Sequence, residues 1–154
     1  MKYDKQKILA VASKGGHWVQ LMRLKPAFEE GEIVYVSTDA GCRNNNGDNS
    51  VFYTVTDANR WTKVKLMRTG FEVLKIIWKE KPSVVISTGA APGLLAIIFG
   101  KLFGARTIWI DSIANVDKLS MSGQIAVFFV NLYMTQWKHL AKEGKIIFKG
   151  NVIL

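Results

Sequence analysis

Ser13-Lys14-Gly15-Gly16-His17 brings a cation, two adjacent glycines and an imidazole into one short turn. Glycines let backbone approach an anion closely, and a helix starting here would offer free N–H groups and a positive dipole end. Lys14 adds a point charge. His17, one of two histidines, can act as a general base, because imidazole accepts a proton near neutrality. The same residues also read as a plain tight turn, with a first-turn histidine that only packs or hydrogen-bonds. Two nucleotide motifs are excluded. No Gly-Lys-Ser/Thr ending completes a P-loop, and G-x-G-x-x-G is absent because His17-Trp18-Val19 follow the glycine pair.

Ser87-Thr88-Gly89-Ala90-Ala91-Pro92-Gly93 is a second glycine-rich turn. Its small residues leave room for a ligand or a partner's backbone, or they form a compact turn with Pro92 in the first turn of a helix. Asp111-Ser112 is the third cluster. Its carboxylate and hydroxyl can hydrogen-bond sugar hydroxyls, or cap the next segment. Cys42 is the sole cysteine, which excludes an intrachain disulfide and a multi-cysteine zinc site. No metal site is expected.

Alternating apolar runs and amphipathic stretches must position these turns. Residues 8–12, 32–38, 51–55, 84–87 and 107–110 read as strands. A helix is predicted to begin near His17 and to be perturbed by Pro26. A second spans 62–80, with Leu66, Met67, Gly70, Phe71, Leu74, Ile77 and Trp78 on one face. Residues 94–103 are apolar on nearly every side, and 119–132 reads as a helix with Ile125, Phe128, Phe129 and Leu132 inward. Residues 133–135 and 145–148 are short candidate strands, and 39–50 reads as a flexible polar loop. This alternation implies an α/β fold: a single Rossmann-like parallel sheet flanked by helices, one domain over residues 1–154. In such a sheet the ligand sits beyond the carboxyl ends of the strands, where all three turns fall.

The 154 residues carry a formal charge of +9 and are 49% hydrophobic, with five Trp. That composition excludes disorder. It favours anionic partners: nucleic acid, anionic lipid or phosphorylated substrates. No basic motif with interleaved aromatics supports nucleic acid. Lys63, Lys65, Arg68, Lys75 and Lys79 either face lipid headgroups or form an ordinary solvated face. No signal peptide and no run near the ~20 apolar residues of a spanning helix is present. A cytoplasmic chain, peripheral at the inner face of the plasma membrane, is expected.

The turns, taken in order, resemble a family. Gly15-Gly16-His17 after the first strand, Val85 through Gly93, Ile110 through Val116 with Leu119-Ser120 and Gly123 downstream, then Gln136-Trp137 and Lys149-Gly150, carry the resemblance across nearly the whole chain. The chain is similar to the acceptor-binding accessory subunits of bipartite GT-B glycosyltransferases. These include the membrane-anchor subunit of the dolichol-pathway UDP-N-acetylglucosamine transferase and the PssD-like proteins of capsule and exopolysaccharide synthesis. The N-terminal domain of the peptidoglycan lipid-linked N-acetylglucosaminyltransferase is similar in plan.

That resemblance implies the N-terminal half of a GT-B enzyme, active only with a donor-binding glycosyltransferase subunit that holds the UDP-sugar. This chain would bind no cofactor. It would hold a polyprenyl-diphosphate-linked saccharide at the membrane surface. Lys14, Gly15 and Gly16 would approach the acceptor diphosphate, His17 would be the base, and Thr88, Gly89, Asp111 and Ser112 would line the cleft. The sequence departs from the family pattern at Asp111 and Asn115, where Glu and Arg are usual, at Lys14, where a small residue is common, and in having no N-terminal spanning helix. A non-catalytic scaffold of the same fold, or a small enzyme binding UDP-sugar unaided, would fit the same turns.

Overall fold

The computed structural model describes residues 5–28, 30–45, 50–58 and 61–152. The elements in chain order are β1 (Lys7–Val11), α1 (Gly16–Arg23), β2 (Glu32–Ser37), β3 (Val51–Thr54), α2 (Lys63–Glu80), β4 (Val84–Ser87), α3 (Ala90–Leu102), β5 (Arg106–Ile110), α4 (Met121–Ala126), β6 (Leu132–Thr135) and β7 (Ile147–Phe148). Short 3-10 turns cover Lys25–Ala27, Ala40–Asn45 and Lys138–Leu140. The loop expected over 39–50 is thus partly a 3-10 turn, and its residues 46–49 lie outside the described residues.

The strands are short continuous apolar runs, as buried parallel strands require. All seven pair in parallel in the order β3-β2-β1-β4-β5-β6-β7. The order reverses between β1 and β4, whose registers match Ile8 to Val84 and Val11 to Ser87. A crevice forms at such a switch point, so the turns after β1 and β4 become neighbours there.

Alternate residues along each strand feed two cores. Leu9, Val11, Val34, Val36 and Val85 pack beneath α2, α3 and α4, against Val73, Ile77, Ile97 and Ala126. Ala10, Tyr35 and Ile86 point the other way, where α1 supplies Trp18 and Leu21. Among the described residues that second layer is incomplete. Ile86, Ile108, Ile110, Leu132 and Met134 line an apolar groove of about 660 Å³ along β4, β5 and β6.

Three expectations need correction. The predicted face of α2 is rotated: Thr69, Gly70, Val73, Ile76 and Ile77 are buried, while Met67, Phe71 and Trp78 are exposed. The helix carries two apolar stripes, and the β-branched one packs on the sheet. Helix 119–132 shrinks to Met121–Ala126, capped by Ser120, whose Oγ accepts from the Gly123 N–H at 2.9 Å. Ile125 and Phe128 point outward, and Leu132 begins β6. Asn131 explains that start: its Oδ1 accepts from the Thr107 N–H at 2.9 Å, and its own N–H donates to the Thr107 carbonyl at 2.9 Å. The last strand is only Ile147–Phe148, because Lys142 and Ile146 close a tight turn before it.

Candidate functional site

The turn after β1 is open. Gly15 caps α1 with φ 77°, in the left-handed region that glycine tolerates. A Cβ there would meet nothing within 4 Å. No side chain caps α1, and the first N–H groups of any helix lack intrahelical partners. Lys14 stands beside this corner. Its backbone N–H donates to Thr38 Oγ1 at 3.1 Å, and its ammonium lies 3.7 Å from Asp57 Oδ2. Both side chains are more than half exposed, so that pair is weak and the cation can swing to an anion.

The turn after β4 is filled. The His17 ring rests on Gly89, where a Cβ would sit 2.5 Å from His17 Cε1. Gly89 has φ 137°, a conformation that essentially only glycine adopts. His17 Nδ1 lies 2.9 Å from the Thr88 carbonyl oxygen. A carbonyl can only accept, so in the neutral ring Nδ1 carries the proton and Nε2 keeps its lone pair. Thr88 answers by donating its hydroxyl to the His17 carbonyl at 2.7 Å. The two residues clamp the turns together and fix the ring's tautomer.

That clamp changes the part played by two expected cleft residues. Thr88 is fully buried and its hydroxyl is spent on the His17 backbone. Thr88 and Gly89 therefore position His17 and offer no polar surface of their own. Asp111 is likewise turned inward, only 2% exposed. It accepts from the Ser120 hydroxyl at 2.6 Å, the Ser120 N–H at 2.9 Å and the Trp109 indole N–H at 3.1 Å. The carboxylate braces the segment 111–120 and does not reach a ligand. Burial, and then the charge of Asp111, push the Tyr133 hydroxyl well above its ordinary range, so that phenol stays neutral beside the carboxylate.

Ser112 does reach the crevice. Gly16, His17, Val19, Gln20, Arg23 and Ser112 line a recess of about 390 Å³ beside α1, closed by Ile113 and Ala114. Gln20, which no sequence motif marks, organises this wall. Its Nε2 donates to the Gly16 carbonyl at 3.1 Å and to Ser112 Oγ at 3.0 Å. Its Oε1 accepts from the Ile113 N–H at 3.0 Å and from Gln136 Nε2 at 2.7 Å. Gln136 also donates to the Asp111 carbonyl and accepts from the Val152 N–H. Arg23 enters the recess from the last turn of α1 and donates to the Val152 carbonyl at 3.0 Å. No periodicity signals these three polar residues. Only Gln136 lies in a motif, Gln136-Trp137.

The arrangement offers an uncapped helix start for an anion, an imidazole whose Nε2 is turned from its tether, and a recess framed by backbone and an arginine. Among the described residues no group of three or more His, Cys, Asp or Glu is placed to hold a metal ion.

Comparison with known proteins bears on what such a site serves. A family model described as "Oligosaccharide biosynthesis protein Alg14 like" matches residues 53–152. The chain is 24% identical to the UDP-N-acetylglucosamine transferase subunit ALG14 of Yarrowia lipolytica, an alignment covering 92% of this chain and 78% of that protein. It is 27% identical to the human protein of the same name, covering 95% and 82%. Among solved structures, MurG of Acinetobacter baumannii superposes with TM-score 0.78 at 11% identity, over 95% of this chain and 46% of that one. A UDP-N-acetylglucosamine 2-epimerase from Listeria monocytogenes, itself described as putative, gives TM-score 0.74 at 11% identity, over 97% and 46%. The chain thus spans under half the length of these structures, and its fold is that of the N-terminal half of a GT-B protein.

Proposed function

The chain belongs to the Alg14-like oligosaccharide biosynthesis family, and from that premise we propose that it is the acceptor-side subunit of a two-chain glycosyltransferase working at the cytoplasmic face of a membrane. A companion chain binds the UDP-sugar. This chain holds the polyprenyl-diphosphate-linked saccharide that receives the sugar. The observation that carries the reading is the pairing of the open, uncapped start of α1 with the His17 lone pair at the β1/β4 switch point. A diphosphate on the N–H groups of α1, with Lys14 swinging onto it, fixes the acceptor in place, and orientation of this kind lowers the barrier by pre-paid entropy. The acceptor hydroxyl oxygen then attacks the anomeric carbon, and UDP leaves with the electron pair of the broken C–O bond. His17 Nε2 takes the hydroxyl proton.

One further observation supports a companion chain: among the described residues, the apolar groove along β4 to β6 leaves a sheet face uncovered. That groove also favours a second reading, in which the chain is a non-catalytic scaffold anchoring a separate catalytic subunit. The capsular or exopolysaccharide nature of the acceptor rests on the resemblance of the motifs alone.

His17→Ala tests the first reading against the second. In the reconstituted pair, loss of sugar transfer by about 10²- to 10⁴-fold with unchanged pair formation supports a general base. Undiminished transfer leaves the scaffold.

A further inference from the structure

We infer that the outer face of α2, continued by the end of α3, is the surface that lies on an anionic lipid bilayer. This rests on the membrane-surface part of the reading above and is independent of the acceptor chemistry. Val64, Met67, Phe71 and Trp78 recur at i, i+3, i+7 and i+14, and are 81, 76, 64 and 66% exposed. They form one stripe along the outer side of α2. The Trp78 ring meets Phe103 edge-on at 5.8 Å, and Phe103 is itself half exposed, so the stripe runs on past the last turn of α3. Soluble surfaces rarely leave so continuous an apolar strip uncovered.

A second row lies beside the first. Arg68, Lys75 and Lys79 recur at i, i+7 and i+11 on the solvent side. Lys75 Nζ stands over the Phe71 ring at 5.6 Å and Lys79 Nζ over the Tyr53 ring at 5.3 Å, so each ammonium lies against an aromatic on this face. The two acids of the helix are both held by partners, and Arg68 of this row is one of those partners. Glu72 is held by the Thr56 N–H at 2.6 Å and by Arg68, and Glu80 by Tyr53 and Lys7. The face is therefore apolar and cationic together.

That composition selects lipid over protein. Cores of protein interfaces are depleted in lysine, whereas aromatic and aliphatic side chains flanked by lysines suit the boundary between acyl chains and anionic headgroups. At 18 residues α2 is roughly 27 Å long, yet no helix among the described residues is long and apolar enough to cross a membrane. The helix lies on the surface. It also runs antiparallel to the strands, so its Val64 end stands at the crevice end of the sheet. A bilayer along α2 thus reaches the crevice, and a lipid-borne diphosphate meets α1 without leaving its membrane.

Co-sedimentation of the full chain with vesicles tests this. Binding is expected to phosphatidylcholine vesicles containing phosphatidylglycerol, with a blue shift of tryptophan emission, and only weakly to phosphatidylcholine alone. Phe71→Ser with Trp78→Ser should lower affinity about tenfold or more. Lys75→Gln with Lys79→Gln should lower it roughly thirtyfold at low salt and less at high salt. All four positions are exposed, so far-UV circular dichroism should stay unchanged. Absence of vesicle binding by the unaltered chain, or equal binding by the Phe71/Trp78 variant, overturns the inference. So does a variant that still binds vesicles but no longer associates with another protein chain. Sugar transfer to a detergent-dispersed acceptor keeps the two readings apart: the Phe71/Trp78 variant should retain it, and its loss would count against this assignment.

Discussion

Gly89→Ala probes the positioning of His17 without removing the imidazole. The new Cβ would stand 2.5 Å from His17 Cε1 and 2.6 Å from Nδ1, whereas ordinary contact begins at 3.4 Å. The ring must retreat by about 0.9 Å. It is tethered at Nδ1 to the Thr88 carbonyl, so retreat stretches or breaks a 2.9 Å hydrogen bond. A displacement of that size costs roughly 10²-fold in rate where geometry matters. The backbone adds its own penalty: φ 137° at residue 89 forces strain of about 1–3 kcal/mol on alanine. Urea denaturation measures the strain, and transfer by the reconstituted pair measures the positioning. With only two histidines in the chain, NMR of the imidazole nitrogens reports directly whether Nδ1 keeps its proton. A folded Gly89→Ala chain with undiminished transfer and an unmoved Nδ1 proton signal would refute the positioning argument.

Two other outcomes follow from the network and the charges. Asp111→Ala strands the Ser120 N–H, the Ser120 hydroxyl and the Trp109 indole N–H, and should destabilise the chain by about 3 kcal/mol in urea melts. Acid lability should trace to Glu80 and Glu72. Burial pushes Glu80 up, but the hydrogen bonds from Tyr53 and Lys7 outweigh it, and its carboxyl titrates below the ordinary value of 4.5. Glu72 behaves alike: burial is outweighed by hydrogen bonds from the Thr56 N–H and from Arg68. Below 4.5 the unfolded chain therefore binds more protons, and stability is lost as pH falls through the folded-state values. Glu80→Gln should flatten this acid limb in denaturation midpoints measured across pH, and an unaltered limb would contradict the assignment.

The sequence by itself determined the strand-turn-helix corners. Apolar runs such as 84–87 are too short for helices and are broken by glycine and proline, so both their type and their ends were legible. The parallel pairing followed, but the strand order that sets β1 beside β4, and so brings their two turns together at the crevice, came from the fold. The sequence did not determine the phase of α2. Val73, Ile76 and Ile77 form one apolar stripe and Met67, Phe71 and Trp78 another, and periodicity cannot say which of two stripes meets the sheet. Nor could it tell a carboxylate aimed at a ligand from one aimed inward. Asp111 is turned inward by donors at residues 109 and 120, and the Gln20 to Gln136 contact joins positions 116 apart. Local pattern fixes which backbone forms, because hydrogen bonding and burial repeat with the period of the element. Side-chain direction at the site depends on donors brought from distant segments, and only the folded chain brings them there.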